Sequence, residues 1–159
     1  MDYGPSVVSF GVPIPAFDEY GALPVGIHDC MPSELRERFG SFQSSDRRPL
    51  LYARLEQFVR ELRRFRSGLV LLINGSFVTT QPRPNDIDLI LILPIDWDLR
   101  AELPPDAYNL LSKTRVKRFW GFDILVARAE TTEYFKYVEF FQRVRYSKTR
   151  RKGIVRITL

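Results

Sequence analysis

The chain has 159 residues, inside the usual range of one compact domain, and no break in composition marks a second one. Its 45% hydrophobic and 13% aromatic content is enough for a real core and excludes a disordered chain, while a single cysteine excludes a disulfide framework. Apolar runs such as Leu69 to Ile73 and Leu89 to Leu93 fall far short of the roughly 20 residues of a membrane-spanning helix, and no secretory signal opens the chain, so a cytoplasmic protein without membrane partners is expected.

Residues 1–30 are rich in Gly and Pro (Pro5, Pro13, Pro15, Pro24) and read as an extended arm around the single domain 1–159. Pro32 and the following Ser-Glu-Leu-Arg-Glu-Arg-Phe predict a short helix ending at Gly40. Asp46 is placed to cap a longer helix over Arg47 to Phe65, where Leu51, Leu55, Phe58, Val59 and Leu62 recur at helical spacing. Leu69 to Asn74 reads as a strand covered on both faces, ended by Gly75-Ser76. Phe77 to Asn85 is a connector, and Asp86 to Leu93 a second strand stopped by Pro94. A loop over Asp96 to Pro105, a short helix over Asp106 to Ser112 and a strand over Phe122 to Ala127 follow, then a helix from Thr132 to Arg145 and a terminal strand from Ile154 to Leu159. The expected fold is α/β (α+β), a mixed sheet of about four to five strands with helices mainly on one face.

The formal charge of +5 is unevenly placed. The segment 143–159 holds Arg143, Arg145, Lys148, Arg150, Arg151, Lys152 and Arg156 and no acid, and a second basic group is Lys113, Arg115, Lys117 and Arg118. Such clusters attract a nucleotide, a nucleic acid or an acidic partner, or simply form a solvated face.

The chemistry concentrates in residues 71 to 89, Leu-Leu-Ile-Asn-Gly-Ser-Phe-Val-Thr-Thr-Gln-Pro-Arg-Pro-Asn-Asp-Ile-Asp-Leu. Aspartate is depleted in strands, so two opening an apolar one need a reason. Alternate strand residues share a face, which sets Asp86 and Asp88 side by side at about 7 Å between Cα atoms, a spacing suited to a divalent metal. Two hard cations about 3.5–4 Å apart can clamp both oxygens of a phosphoryl transfer. Asp123, near the start of another apolar strand, supplies a third carboxylate able to ligate metal and accept the proton of an attacking hydroxyl. Gly75-Ser76 forms a turn whose N–H groups and hydroxyl can meet phosphate oxygens.

This order, Gly-Ser, then Asp-x-Asp, then a later strand with a third Asp, resembles the DNA polymerase β-type nucleotidyltransferase superfamily over residues 69 to 127, especially its minimal antitoxin members. Together with Ile-Pro-Ala-Phe-Asp-Glu-Tyr-Gly-Ala-Leu-Pro-Val-Gly-Ile-His at 14 to 28, it looks like an uncharacterised bacterial branch of that superfamily. The resemblance implies Mg²⁺, with two ions in the full site, on Asp86, Asp88 and Asp123, an NTP (ATP first) with its phosphates on Gly75 and Ser76, and NMP transfer to an acceptor hydroxyl. A toxin protein or tRNA is the implied acceptor, and the antitoxin role of a toxin–antitoxin pair is the implied setting. Pro82 and Pro84 depart from the pattern by leaving room for only one or two helical turns after Gly-Ser. The rival reading is a catalytically silent module that neutralises a protein or binds nucleic acid through its basic surface. Asp96-Trp97-Asp98 repeats the spacing in a loop and reads as solvated, while His28 and Cys30 read as packed residues.

Overall fold

The structure, a computed structural model, describes residues 13–159; residues 1–12 of the expected arm lie outside the described residues. In chain order it contains β1 (Ile27–Asp29), α1 (Pro32–Phe39), α2 (Arg47–Phe65), β2 (Val70–Asn74), a 3-10 turn (Ser76–Val78), β3 (Asp88–Leu93), α3 (Pro105–Leu111), α4 (Lys113–Trp120), β4 (Asp123–Arg128), α5 (Thr132–Gln142) and β5 (Ile154–Thr158). The strands form one mixed sheet in the order β1-β5-β2-β3-β4. The pairs β1–β5 and β3–β4 are parallel, whereas β5–β2 and β2–β3 are antiparallel.

Strand alternation sends Leu71, Ile73, Leu89, Leu91, Ile124, Val155 and Ile157 to one face, where they join buried residues of α1, α2, α3 and α4. Leu72, Ile90, Ile92 and Ile154 face the other way and meet Phe141, Tyr134, Tyr137 and Val138, all near or on α5. The architecture is therefore the α+β sheet expected, with four of five helices on one side. No helix of the described residues is long and apolar enough to cross a membrane.

Local differences from the sequence reading have physical causes. Part of the arm, Ile27–Asp29, is a strand, because its backbone pairs with β5 and Asp29 accepts two hydrogen bonds from Arg156 at 2.6 and 2.8 Å. Asp46 makes no capping bond; the Arg47 N–H instead reaches the Ser45 hydroxyl at 3.4 Å. The segment Lys113–Trp120 is a helix, framed by Ser112, whose hydroxyl accepts the Arg115 N–H, and by Gly121 at φ +77°. Helix α5 stops at Gln142 rather than Arg145, because Arg143 leaves in an extended conformation to bridge Arg151. Finally, β3 opens at Asp88, so Asp86 and Ile87 precede the strand instead of starting it.

Candidate active site

The sheet register brings the functional residues together. Asn74, at the end of β2, is the partner of Asp88, and Asp88 is the partner of Asp123, so three polar side chains stand in one row across β2, β3 and β4. Cross-strand partners lie on the same face, here the one α5 covers, since Leu72, Ile90 and Leu125 two residues along belong to that side. The row borders a cleft of about 970 Å³. Its other walls are Tyr20 to Ala22 of the arm, Thr79 to Gln81 of the connector, and Phe140 to Lys152 in part.

Asp86 enters the site by a different route from the strand argument. The Ser76 hydroxyl donates to Asp86 Oδ1 at 2.5 Å, and the Ser76 N–H donates to the same oxygen at 2.9 Å. The hydroxyl oxygen also accepts the N–H groups of Asn85 at 2.9 Å and Asp86 at 3.3 Å. The Gly-Ser turn thus directs the Ser76 donors at the first carboxylate, while Gly75 and Ser76 also line the cleft. Gly75 makes that approach feasible. At φ +91° it occupies a conformation that L side chains rarely adopt, and a Cβ there would lie 2.9 Å from the Asp86 carbonyl oxygen and 3.2 Å from Asp86 Oδ1 and the Asp88 N.

The turn is anchored from beneath. Phe77 and Val78 are buried, and Arg48 of α2, only 1% exposed, donates to the carbonyls of Phe39, Phe77, Thr79 and Gln81 at 3.2, 2.7, 2.6 and 2.6 Å. A guanidinium presents several donors in a fixed fork, so one side chain fixes the whole connector. Arg47 holds the connector's far end through the carbonyls of Pro84 and Asn85 at 2.9 and 3.1 Å. Arg48 is not among the residues singled out from the sequence, although its spacing to Leu51, Tyr52 and Leu55 puts it on the buried stripe.

Electrostatics single out Asp88. Burial first, then the charges of Asp86 and Asp123, push its carboxyl up to about 6 against the pull of Lys152 and Lys117. Burial also raises Asp86, but the Ser76 hydroxyl and N–H, with Lys152 and Arg145, outweigh it and leave that carboxyl below its ordinary value. Lys152 is the counter-ion the sequence reading did not separate from its basic neighbours. Burial lowers its ammonium while Asp88 and Asp86 hold it up. Asp123 is paired with Lys117 at 2.8 Å, both side chains about half exposed.

Gly75, Ser76, Asp86, Asp88 and Asp123 therefore all line one cleft, and Lys113 joins them there. Arg115 instead bonds Asn109 at 3.0 Å, and Arg118 lies over Phe119. Asp96 and Asp98 sit beyond the opposite end of β3, where Trp97 packs on Phe65. His28 bonds the Pro24 carbonyl at 2.7 Å, and burial drives the Cys30 thiol up to about 12, leaving it protonated. Among the described residues no three acidic, histidine or cysteine side chains converge on a single metal position: Asp86 is turned to Ser76 and Asp123 to Lys117. Asn74 donates to the Phe141 carbonyl at 3.1 Å while its buried Oδ1 has no hydrogen-bond partner among the described residues.

Neither curated proteins nor solved structures give a significant match to the chain. The model of DUF6932, described as a family of unknown function, matches residues 15–158, and on that span the chain belongs to this family.

Proposed function

We propose that the protein is a nucleotidyltransferase that moves a nucleoside monophosphate from an NTP, ATP first, to an acceptor hydroxyl on RNA or protein. The observation that carries this reading is the carboxylate row: Asp88 and Asp123 adjacent on parallel strands, with Asp86 pinned beside them by Ser76, all lining a cleft of about 970 Å³. Burial first, then the charges of Asp86 and Asp123, make the ionised Asp88 unfavourable, and hard oxygen donors of this kind suit a divalent cation. The donor set fits Mg²⁺ in its chemistry, with Asp86 and Asp88 as primary ligands and Asp123 joining when it leaves Lys117. Bound there, the metal supplies charge stabilisation to the α-phosphate and the departing pyrophosphate.

The chain's own residues do the rest. Lys152 lines the cleft beside Asp86 and Asp88 and receives the β- and γ-phosphates as a point charge. Gly75 and Ser76 hold Asp86 in place. The acceptor oxygen bonds the α-phosphorus, the bond from that phosphorus to the bridging oxygen breaks, and pyrophosphate leaves with the electron pair. The hydroxyl proton passes to the Asp123 carboxylate, which is about half exposed and within reach of an incoming acceptor.

A second reading, a silent binding module, draws on one observation. The Ser76 N–H that would greet a phosphate is taken by Asp86. Incubation with α-labelled and γ-labelled ATP, Mg²⁺ and either RNA or total protein separates the two. Transfer of the α-label alone, lost in Asp86→Asn and Asp88→Asn, is the expected result. Transfer that persists in both variants would sink the site, and tight partner binding with no transfer to any acceptor would favour the module.

A further inference from the structure

The chain leaves α5 through a tight basic hairpin whose geometry the proposed chemistry does not explain. Arg143 bridges Arg151, and the Lys152 N–H reaches the Gln142 carbonyl at 2.8 Å. Inside the loop the Ser147 N–H bonds the Val144 carbonyl at 3.2 Å and the Arg150 N–H bonds the Ser147 hydroxyl at 3.0 Å. Tyr146 stands at the tip, 98% exposed, with φ at +65°. A bulky residue in the left-handed region is uncommon, and such strain clusters at ligand-binding segments.

The ring has cationic company. The Arg145 guanidinium lies 5.9 Å from the Tyr146 ring centre, and Arg150 sits 3.5 Å over the ring of Tyr20, itself 63% exposed. Arg143 is paired with Glu139 at 2.8 Å, but Arg145, Lys148, Arg150 and Arg151 have no carboxylate partner among the described residues. A patch serving only solubility has no use for a fully exposed, strained aromatic, and a duplex read by its phosphates would need the cations without the rings. Unpaired bases need both: a π-face on which to stack and positive charge along the backbone.

We propose that the hairpin 143–152 is a docking surface for single-stranded RNA, with Tyr146 stacking a base and Arg145, Lys148 and Arg150 following the phosphates. Arg145, Ser147, Arg150 and Lys152 also wall the cleft of the carboxylate row, so a strand held on the hairpin leads its terminal hydroxyl towards Asp123. The role of that RNA as acceptor rests on the nucleotidyl-transfer reading, whereas the binding itself does not.

The test is fluorescence anisotropy of the full chain with a labelled single-stranded RNA of about ten nucleotides, without NTP or metal, over a range of salt. The single strand should bind more tightly than an equal-length duplex, polyglutamate or anionic vesicles. Tyr146→Asn, which tolerates the left-handed backbone, should weaken binding about 5- to 100-fold, the range for loss of one stacked base, and Tyr146→Phe should restore it. Arg145→Ala and Lys148→Ala should each lower the slope of log affinity against log salt by about 0.7. Equal binding of duplex, polyglutamate or vesicles, or an unchanged affinity in Tyr146→Asn, would overturn the proposal. RNA binding without label transfer to any acceptor would keep this surface and sink the enzymatic reading; transfer to a protein acceptor with no RNA binding would do the reverse.

Discussion

One face of the sheet carries Leu71, Ile73, Leu89, Leu91 and Ile124 under four helices, while the other carries Leu72, Ile90 and Ile92 under α5 alone and gives way at its end to Asn74, Asp88 and Asp123. The first face is a closed core in which these strand residues join buried apolar side chains of four helices. The second is left open for several residues, and there acids stand where the strand period calls for apolar groups. The same strands thus serve stability on one side and a charged cleft on the other, and substitutions should separate the two.

The largest effect is expected in the closed face. Phe58 is fully buried against Trp120 and Phe122, with ring centres 5.4 and 5.9 Å away, so Phe58→Ala should cost near the top of a range of about 3–5 kcal/mol. Phe141→Ala, 5% exposed under the single helix of the open face, should fall near the bottom of that range. Urea unfolding of both variants measures the contrast, and equal losses would break it.

Gly75→Ala comes next. The strained φ and the 2.9 Å approach of the Asp86 carbonyl require the turn to shift, at about 1–3 kcal/mol, and displace Asp86 with it. A variant with wild-type stability would show that the turn does not depend on glycine.

The smallest effect has the opposite sign. Folding raises the Asp88 carboxyl from 3.8 to about 6, so the folded chain binds its proton more tightly than the unfolded one and this group's contribution to stability falls as pH rises through that window. Above pH 6 the ionised group costs about 1–2 kcal/mol after allowance for solvent screening. Asp88→Asn should therefore stabilise the metal-free protein at pH 8 and not at pH 4, as read by thermal unfolding. A destabilised variant at pH 8 would mean that Asp88 is compensated locally.

Most elements of the fold are legible in the sequence because they follow a period: the stripe of α2, the double-sided run of β2 and the alternation of β5 each match a face that is buried. What escapes is set by partners distant in sequence. Three residues of the arm become β1 because their backbone pairs with β5, where Arg156, 127 positions away, donates to Asp29. Helix α4 is short and buries Val116 alone, so its apolar content is sparse and Ser112 and Gly121 mark its ends. In the candidate site the five residues singled out from the motif do line one cleft, yet their arrangement differs from the reading. Asp86 is placed by a serine and not by a strand, and the serine's donors turn inward. Arg48 shares the helical stripe of Leu51, Tyr52 and Leu55, but an arginine on such a stripe gives no sign of the carbonyls it will meet, and Lys152 carries no local pattern that separates it from its basic neighbours. What each of them meets is set by burial, and burial is a property of the fold.

The central claim, that the carboxylate row is a metal–nucleotide site, is tested most directly by titrating Mn²⁺ into the protein with a non-hydrolysable ATP analogue and following bound metal by electron paramagnetic resonance. Nucleotide-dependent Mn²⁺ binding in the wild type, abolished by Asp86→Asn and by Asp88→Asn in folded protein, is the predicted result. Mn²⁺ binding that is unaltered in both variants, or that ignores the nucleotide, would contradict it.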